Sequence, residues 1–449
     1  MFNLAEFMSK HVFYKAWDIK ERSHRLSEWK QLEAQQWWTR EQLENLQNER
    51  LKCILTHAYH NSDYYKQLCD DQGVNPAQEF SLDIFSRIPV TTKLDIRNKN
   101  TAFISKGADR GQLVTAKTGG STGVSLELHF DRHCQQKRNA AQLMADRWAG
   151  WDLGVKRAAV WGNPVHPVTI KQKIRHHLMD RIIYLDTMNL NDASMGDFVD
   201  RWQVEKPGVI FGHAHSIFIF ARYLIKEGIT NIRPRGVIAT SMMLLDHERA
   251  IIEQAFGRKV TNRYGCEEVG LIASECNEHN GMHLNLPHVY VEFLDANDQP
   301  VQEGEPGKIV VTDLNNYAMP LIRYRVEDVG VYTERACPCG RGFPLLERLE
   351  GRLADFLKLP DGGEVAGISL VERTLTNVPG IEQMQLIQES TNLIVVNRVK
   401  GRDYTTNTDD CLTESLREVF GDRLRVSINE VEHIPQEKSG KYRFSICKI

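Results

Sequence analysis

Thr115-Ala116-Lys117-Thr118-Gly119-Gly120-Ser121-Thr122-Gly123 packs glycines and hydroxyls into a few residues, between strand-like Gln112-Leu113-Val114 and Leu126-Glu127-Leu128-His129-Phe130. Glycine lets a backbone take φ > 0 and approach a ligand closely, and clustered N–H and O–H donors form a nest for an anion. The stretch differs from the common nucleotide loop, which needs Gly-Lys-Ser/Thr opening a helix, because Val124-Ser125 follows Gly123. Taken alone it also reads as a polar hairpin turn.

Working outward, the segments after it alternate short apolar runs with amphipathic stretches. Arg157–Trp161, Gly208–Phe211 and Gly236–Thr240 read as strands, and 193–205 and 216–227 as helices. This alternation predicts an α/β layered fold with largely parallel strands, and in such folds ligands sit beyond the strands' carboxyl ends. Before the loop, residues 1–100 read as a helical cap, with Leu43, Leu46, Leu51, Ile54 and Leu55 at helical spacing within Trp29–Tyr59. Residues 284–345 turn β-rich, and 351–449 read as a small α+β domain.

Composition narrows the classes. The 449 residues allow two or three domains and a large core. The net charge of -3 gives no ground for a nucleic-acid or membrane partner. No apolar run reaches the ~18–20 residues of a membrane helix, and the N-terminus is a poor signal peptide, so a cytoplasmic protein without membrane insertion is expected. Nine cysteines in this length do not make a disulfide framework. Their spacing matters more: Cys276…His279…His283 and Cys337-Pro338-Cys339 match a Cys3His zinc pattern, with buried free thiols as the other reading.

Four more stretches join the loop: Arg263-Tyr264-Gly265-Cys266-Glu267-Glu268, Arg323-Tyr324-Arg325-Val326-Glu327-Asp328, Gly351-Arg352…Asp355, and Lys438-Ser439-Gly440-Lys441. In this order the chain resembles the adenylate-forming acyl-ligase superfamily, in the phenylacetate–CoA ligase branch and its capsular-polysaccharide-associated, CapK-like subgroup. Ile88-Pro89-Val90-Thr91-Thr92-Lys93 and Tyr64-Tyr65 resemble that branch's entry helices.

The resemblance implies a large N-terminal multi-sheet adenylation domain (1–350) and a small mobile C-terminal domain (351–449). It implies that Thr118, Gly119, Gly120, Ser121, Thr122 and Gly123 hold ATP phosphates, with Tyr264 and Gly265 at the adenine. Glu268 would bind Mg2+ beside Glu267, Asp328 would hold the ribose near Arg325, Arg352 would reach the nucleotide from a hinge with its pivot at Ala354/Asp355, and Lys441 would bridge the acyl carboxylate and the α-phosphate. An acid facing vicinal hydroxyls is a common ribose solution, and positive charge is needed where two anions meet. There are departures: Gly119 replaces a hydroxyl that the family loop often carries, and Glu327 adds negative charge beside the ribose acid.

The expected activity is ATP-dependent conversion of a carboxylic acid, aryl or small, to an acyl-adenylate, then transfer to coenzyme A. Alternatives are an amine or hydroxyl acceptor, a carrier-protein thiol, or a non-catalytic nucleotide-binding protein. Trp161, His166, Phe211, His213, His215, Thr240 and Met242 are expected at the acyl pocket. The resemblance also favours Cys276, His283, Cys337 and Cys339 as a structural zinc set. The aromatic N-terminal helices fit either a monomer or a homodimer.

Overall fold

The computed structural model describes residues 4–117, 126–162, 167–187, 190–352, 356–360, 362, 364–401, 403–435 and 443–449. β1 (Val114–Lys117) and β2 (Glu127–Phe130) pair antiparallel as a two-stranded ribbon, in the register Val114↔Phe130 to Lys117↔Glu127. Next come β3 (Arg157–Trp161), β4 (Ile182–Asp186), β5 (Val209–His213), β6 (Gly236–Thr240) and β7 (Val260–Cys266). These pair in parallel, in the order β4-β3-β5-β6-β7.

β8 (Gly270–Glu275), β9 (Met282–Leu284), β10 (Val289–Leu294), β11 (Pro306–Asp313), β12 (Tyr324–Thr333) and β13 (Leu345–Arg352) follow. They extend the same sheet antiparallel to eleven strands, in the order β10-β11-β12-β13-β9-β8-β7-β6-β5-β3-β4. The β-rich stretch is thus continuous with the parallel strands: Gly265 and Gly270 let β7 turn tightly into β8.

The parallel strands are apolar on both sides because helices cover both faces. Helices Asp192–Glu205, Ala214–Lys226 and Asp246–Phe256 supply Phe198, Phe220 and Phe256 to one core, against Val160, Ile210 and Val237. On the other face Tyr14, Leu143 and Trp151 close over Val209. Gly212 is required where β5 meets β3, since a Cβ there would stand 2.3 Å from the Val160 carbonyl oxygen.

The N-terminal cap is helical as expected, but Trp29–Tyr59 is two helices, Arg25–Gln35 and Arg40–Asn61. Thr39 breaks them by forming a capping box with Gln42, satisfying backbone donors that a continuous helix would have bonded internally. Thr92 caps Lys93–Phe103 in the same way through Asp95. Arg323 locks this cap to the sheet: its guanidinium bonds Glu292 and the Ser86 and Ile88 carbonyls, while Thr91 N–H donates to the Arg323 carbonyl.

After β14 (Phe356–Lys358) and β15 (Glu364–Ala366), the C-terminal domain forms its own sheet. β16 (Ile381–Ser390), β17 (Leu393–Lys400), β18 (Arg425–Glu430) and β19 (Ser445–Cys447) run in the order β18-β17-β16-β19, with helices Gly367–Asn377 and Thr408–Phe420. Its core takes in Leu245 from the larger part, and Met242 and Met243 pack against it. No described helix is long and apolar enough to cross a membrane.

Candidate active site and metal cluster

Two hydrogen bonds to carboxylates tie β7 and the turn after it to β12. Tyr264, the fifth residue of β7, donates its hydroxyl to Asp328 Oδ2 at 2.7 Å. Glu268 follows β7 in the turn to β8 and is 7% exposed; its Oε1 accepts from the Tyr324 hydroxyl at 3.3 Å. Burial, and then the Glu268 charge, push the Tyr324 phenol well up, so it remains a donor. Each carboxylate is thus held by a tyrosine of the other segment: Asp328 of β12 by Tyr264 of β7, and Glu268 after β7 by Tyr324 of β12. Tyr264 itself is nearly buried beneath this acidic rim.

Lys93 opens the Lys93–Phe103 helix and reaches into this rim, with Nζ 4.0 Å from Glu268 and 3.5 Å from Glu327. It balances the extra acid that Glu327 brings. Sequence reading placed Lys93 only in a helix start. A buried carboxylate offering oxygen ligands suits Mg2+, a hard cation held through one or two carboxylates and substrate phosphates. Glu268 would be the ligand here; Glu267, next to it, is exposed.

The other expected nucleotide residues divide. Arg325 turns to pair with Asp298. Arg352 ends β13 directly opposite Asp328 in the strand register. Thr118, Gly119, Gly120, Ser121, Thr122, Gly123, Asp355 and Lys441 lie outside the described residues, as does His166 of the expected acyl pocket.

Several residues expected at an acyl pocket form a wall of rings at the ends of the parallel strands. Trp161 stacks on Phe211 with centroids 5.2 Å apart, and His213 lies 4.2 Å from Trp161. Trp161, Phe211 and His213 share a face because strand side chains alternate and β5 runs through His213. Thr240 aligns with His213 and donates its hydroxyl to the Arg263 carbonyl at 2.9 Å. Met242 instead packs between two cores.

His215 does not join this wall. The helix Ala214–Lys226 starts just after His213, and its first turn buries His215 against Glu248, with Phe444 of the C-terminal domain 4.9 Å away. Behind the wall Arg263 lies over the Phe211 ring at 4.8 Å and bonds Asp146, which Arg157 also bonds.

Cys276, His283, Cys337 and Cys339 bring their ligand atoms within 4.8 Å of one another. Cys276 Sγ is 3.7 Å from Cys337 Sγ, and Cys339 Sγ is 3.3 Å from His283 Nε2. Tetrahedral Zn–S bonds of ~2.3 Å place sulfurs about 3.8 Å apart, so the spacing suits zinc. The other ring nitrogen, Nδ1 of His283, lies 3.0 Å from the Phe343 carbonyl, which orients Nε2 inward. Burial holds the His283 imidazole down at about 4, in its ligating neutral form, and pushes the Cys276 thiol up to about 12. A divalent cation would supply the charge that turns such thiols into thiolates. His279 is turned away, its Nδ1 3.3 Å from Glu275.

Residues 357–448 match the family described as CapK C-terminal domain. Along most of its length the chain is similar to Protein CapK of Staphylococcus aureus, 24% identical over 410 residues, covering 90% of this chain and 89% of that one. It is 26% identical over 333 residues to a phenylacetate-coenzyme A ligase of Thermus thermophilus, with 71% and 72% covered. Among solved structures, 2-hydroxyisobutyryl-CoA ligase in the postadenylation state superposes with a TM-score of 0.71 at 18% identity, covering 90% of this chain and 89% of that one. The amide bond synthetase McbA of Marinactinospora thermotolerans shares the fold at a TM-score of 0.53 and 16% identity, over 74% and 68%.

Proposed function

We propose, from the chain's place among the adenylate-forming ligases in the branch of CapK and the phenylacetate–coenzyme A ligases, that it activates a carboxylic acid with ATP and passes the acyl group on. In the first half-reaction the acid's carboxylate oxygen attacks the α-phosphorus of ATP, the bond to the β-phosphate oxygen breaks, and pyrophosphate leaves. In the second, a thiol attacks the acyl carbon and AMP departs; coenzyme A is the acceptor we assign, because the curated relatives include phenylacetate–CoA ligases.

The observation that carries the reading is the coupling of Asp328 to Tyr264 and of Glu268 to Tyr324 at one place. Asp328 takes the ribose hydroxyls and Tyr264 backs the adenine. Glu268 holds Mg2+, which when bound neutralises phosphate charge during attack. Lys93 keeps the Glu268 carboxylate aimed inward. Lys441 supplies a point charge where the acyl carboxylate meets the α-phosphate. Arg352 stands at a hinge about which the C-terminal domain swings between the half-reactions, a domain-closure step.

The Trp161–Phe211–His213 wall favours an aryl or compact acid, because flat rings stack on it with little ordering cost. Cys276, His283, Cys337 and Cys339 hold zinc structurally, since four protein ligands leave no open coordination position. Transfer to an amine or hydroxyl is the second reading, favoured by the shared fold with an amide bond synthetase.

Pyrophosphate release against a panel of carboxylic acids, with and without coenzyme A, tests this. Acid-dependent release with a thioester only in the presence of coenzyme A is the expected result. Release that ignores the acid overturns the reading. Acid-dependent release without a thioester moves the acceptor to an amine or hydroxyl.

A further inference from the structure

Arg138 lies in the middle of the Arg132–Trp148 helix, where nothing in the local sequence marks it. It is 7% exposed, and its guanidinium touches three separate segments. Nη1 donates to the Glu267 carbonyl at 3.1 Å, and Nη2 donates to the Glu268 carbonyl at 2.6 Å. Nη2 also pairs with Asp313 Oδ2 at 2.8 Å, at the end of β11, where that carboxylate is buried. Finally, the guanidinium lies over the ring of Phe130 at 4.6 Å.

Phe130 is the last residue of β2, the strand that leaves the glycine-rich stretch. One side chain thus connects the ribbon flanking that stretch, the turn bearing Glu268, and the strand that precedes the β11–β12 connection. Gly270 is fitted around it. At φ +79 it takes a conformation other residues resist, and a Cβ there would stand 3.2 Å from Arg138 Cδ and Cγ.

We propose that Arg138 is a positioning residue that fixes the Glu267–Glu268 turn against the glycine-loop ribbon and so sets how tightly the site binds the metal on its nucleotide. This rests on the reading of Glu268 as the Mg2+ ligand. The reason is geometric. Glu268 projects from a short turn between two antiparallel strands, and the carbonyls of that turn are held from outside the sheet by the two terminal nitrogens of one planar fork. A metal ligand must keep its place to a fraction of an ångström, and a turn whose carbonyls lose their donors can rotate away. Asp313 keeps the fork charged and aimed. Phe130 transmits the same frame to the ribbon.

Lysine at this position separates placement from charge. It can keep the pairing with Asp313, so the buried carboxylate is not abandoned, but a single ammonium cannot reproduce the planar fork that serves both carbonyls. The test is calorimetric titration of ATP into the full-length chain, in Mg2+ and again in EDTA, for wild type, Arg138→Lys and Glu268→Gln, with thermal melts of each. For Arg138→Lys the affinity for Mg·ATP should fall about tenfold, on the scale of one charge-assisted hydrogen bond. Affinity in EDTA should change less than about twofold, because no metal is being placed.

Equal losses in both conditions, or a gain from Mg2+ as large as in wild type, would overturn the inference. A merely structural role lowers the melting temperature and both affinities together. Should Arg138→Lys fail to fold, the pair Arg138→Met with Asp313→Asn, which removes both buried charges, is titrated in its place and supports or overturns the inference by the same comparison. Glu268→Gln separates the inference from its premise. If it removes the Mg2+ gain while Arg138→Lys keeps it, only the positioning role falls. If it keeps the Mg2+ gain, the metal reading of Glu268 falls and takes the inference with it.

Discussion

The hydroxyl of Tyr264 donates to Oδ2 of Asp328 at 2.7 Å, joining β7 to β12 across the rim of the candidate site. On the function proposed above, the bond orients the Asp328 carboxylate toward the ribose hydroxyls. Asp328→Asn should raise KM for ATP about ten- to a hundredfold, the loss of charge-assisted bonds to the ribose. Tyr264→Phe keeps the ring and should raise it only about two- to fivefold. Steady-state kinetics in ATP decides, and a larger effect from Tyr264→Phe would contradict the assignment.

The sulfur and imidazole cluster predicts about one zinc per chain in protein purified without a tag, and less than ~0.3 contradicts it, because structural sites bind tightly. Cys337→Ser should lose the metal and lower the melting temperature. His279→Ala should keep the metal, since that ring faces Glu275.

Arg323 carries a stability prediction. Its fork bonds Glu292 and two carbonyls of the helical cap, and both charges are largely buried. Arg323→Met strands the Glu292 carboxylate and should cost about 3–5 kcal/mol. Adding Glu292→Gln should recover part of that loss, because no charge is then left buried without its partner. Denaturant melts measure both.

A pH dependence follows from Glu28 and His288, whose Oε1 and Nε2 lie 3.4 Å apart. Burial holds the His288 imidazole below its ordinary value of 6.5. For Glu28, burial pushes the carboxyl up, but His288, Lys137 and Arg50 outweigh it and hold it down at about 2. Both folded values are depressed, so on acidification the unfolded chain takes up protons that the folded chain refuses. Stability is therefore full near neutral pH and falls as pH drops below 6.5 for His288, and again from 4.5 toward 2 for Glu28. His288→Gln should flatten the decline in melting temperature between about pH 6.5 and 5, relative to wild type. An unchanged slope would remove this pair from the acid response.

Much of this was legible in local sequence. Apolar runs marked β3, β5 and β6 but not β4, and the Cys/His stretches marked the residues that cluster, because period and spacing survive in a linear reading. The interactions that hold the site together were not. Arg138 meets Asp313 across 175 positions, and Arg263 meets Asp146 across 117, with no local pattern at either end. His215 shows the opposite failure. It is grouped with His213 at the expected acyl pocket, but a helix begins at Ala214 and turns His215 toward Glu248 and Phe444.

The central claim, that this site makes an acyl-adenylate, is tested most directly by acid-dependent exchange of labelled pyrophosphate into ATP. Wild type should exchange only when a suitable carboxylic acid is present, and Lys441→Ala should exchange about 10²- to 10³-fold more slowly. The same variant should still form thioester from presynthesised adenylate and coenzyme A. Exchange that proceeds equally without acid, or that Lys441→Ala leaves untouched, would contradict the account.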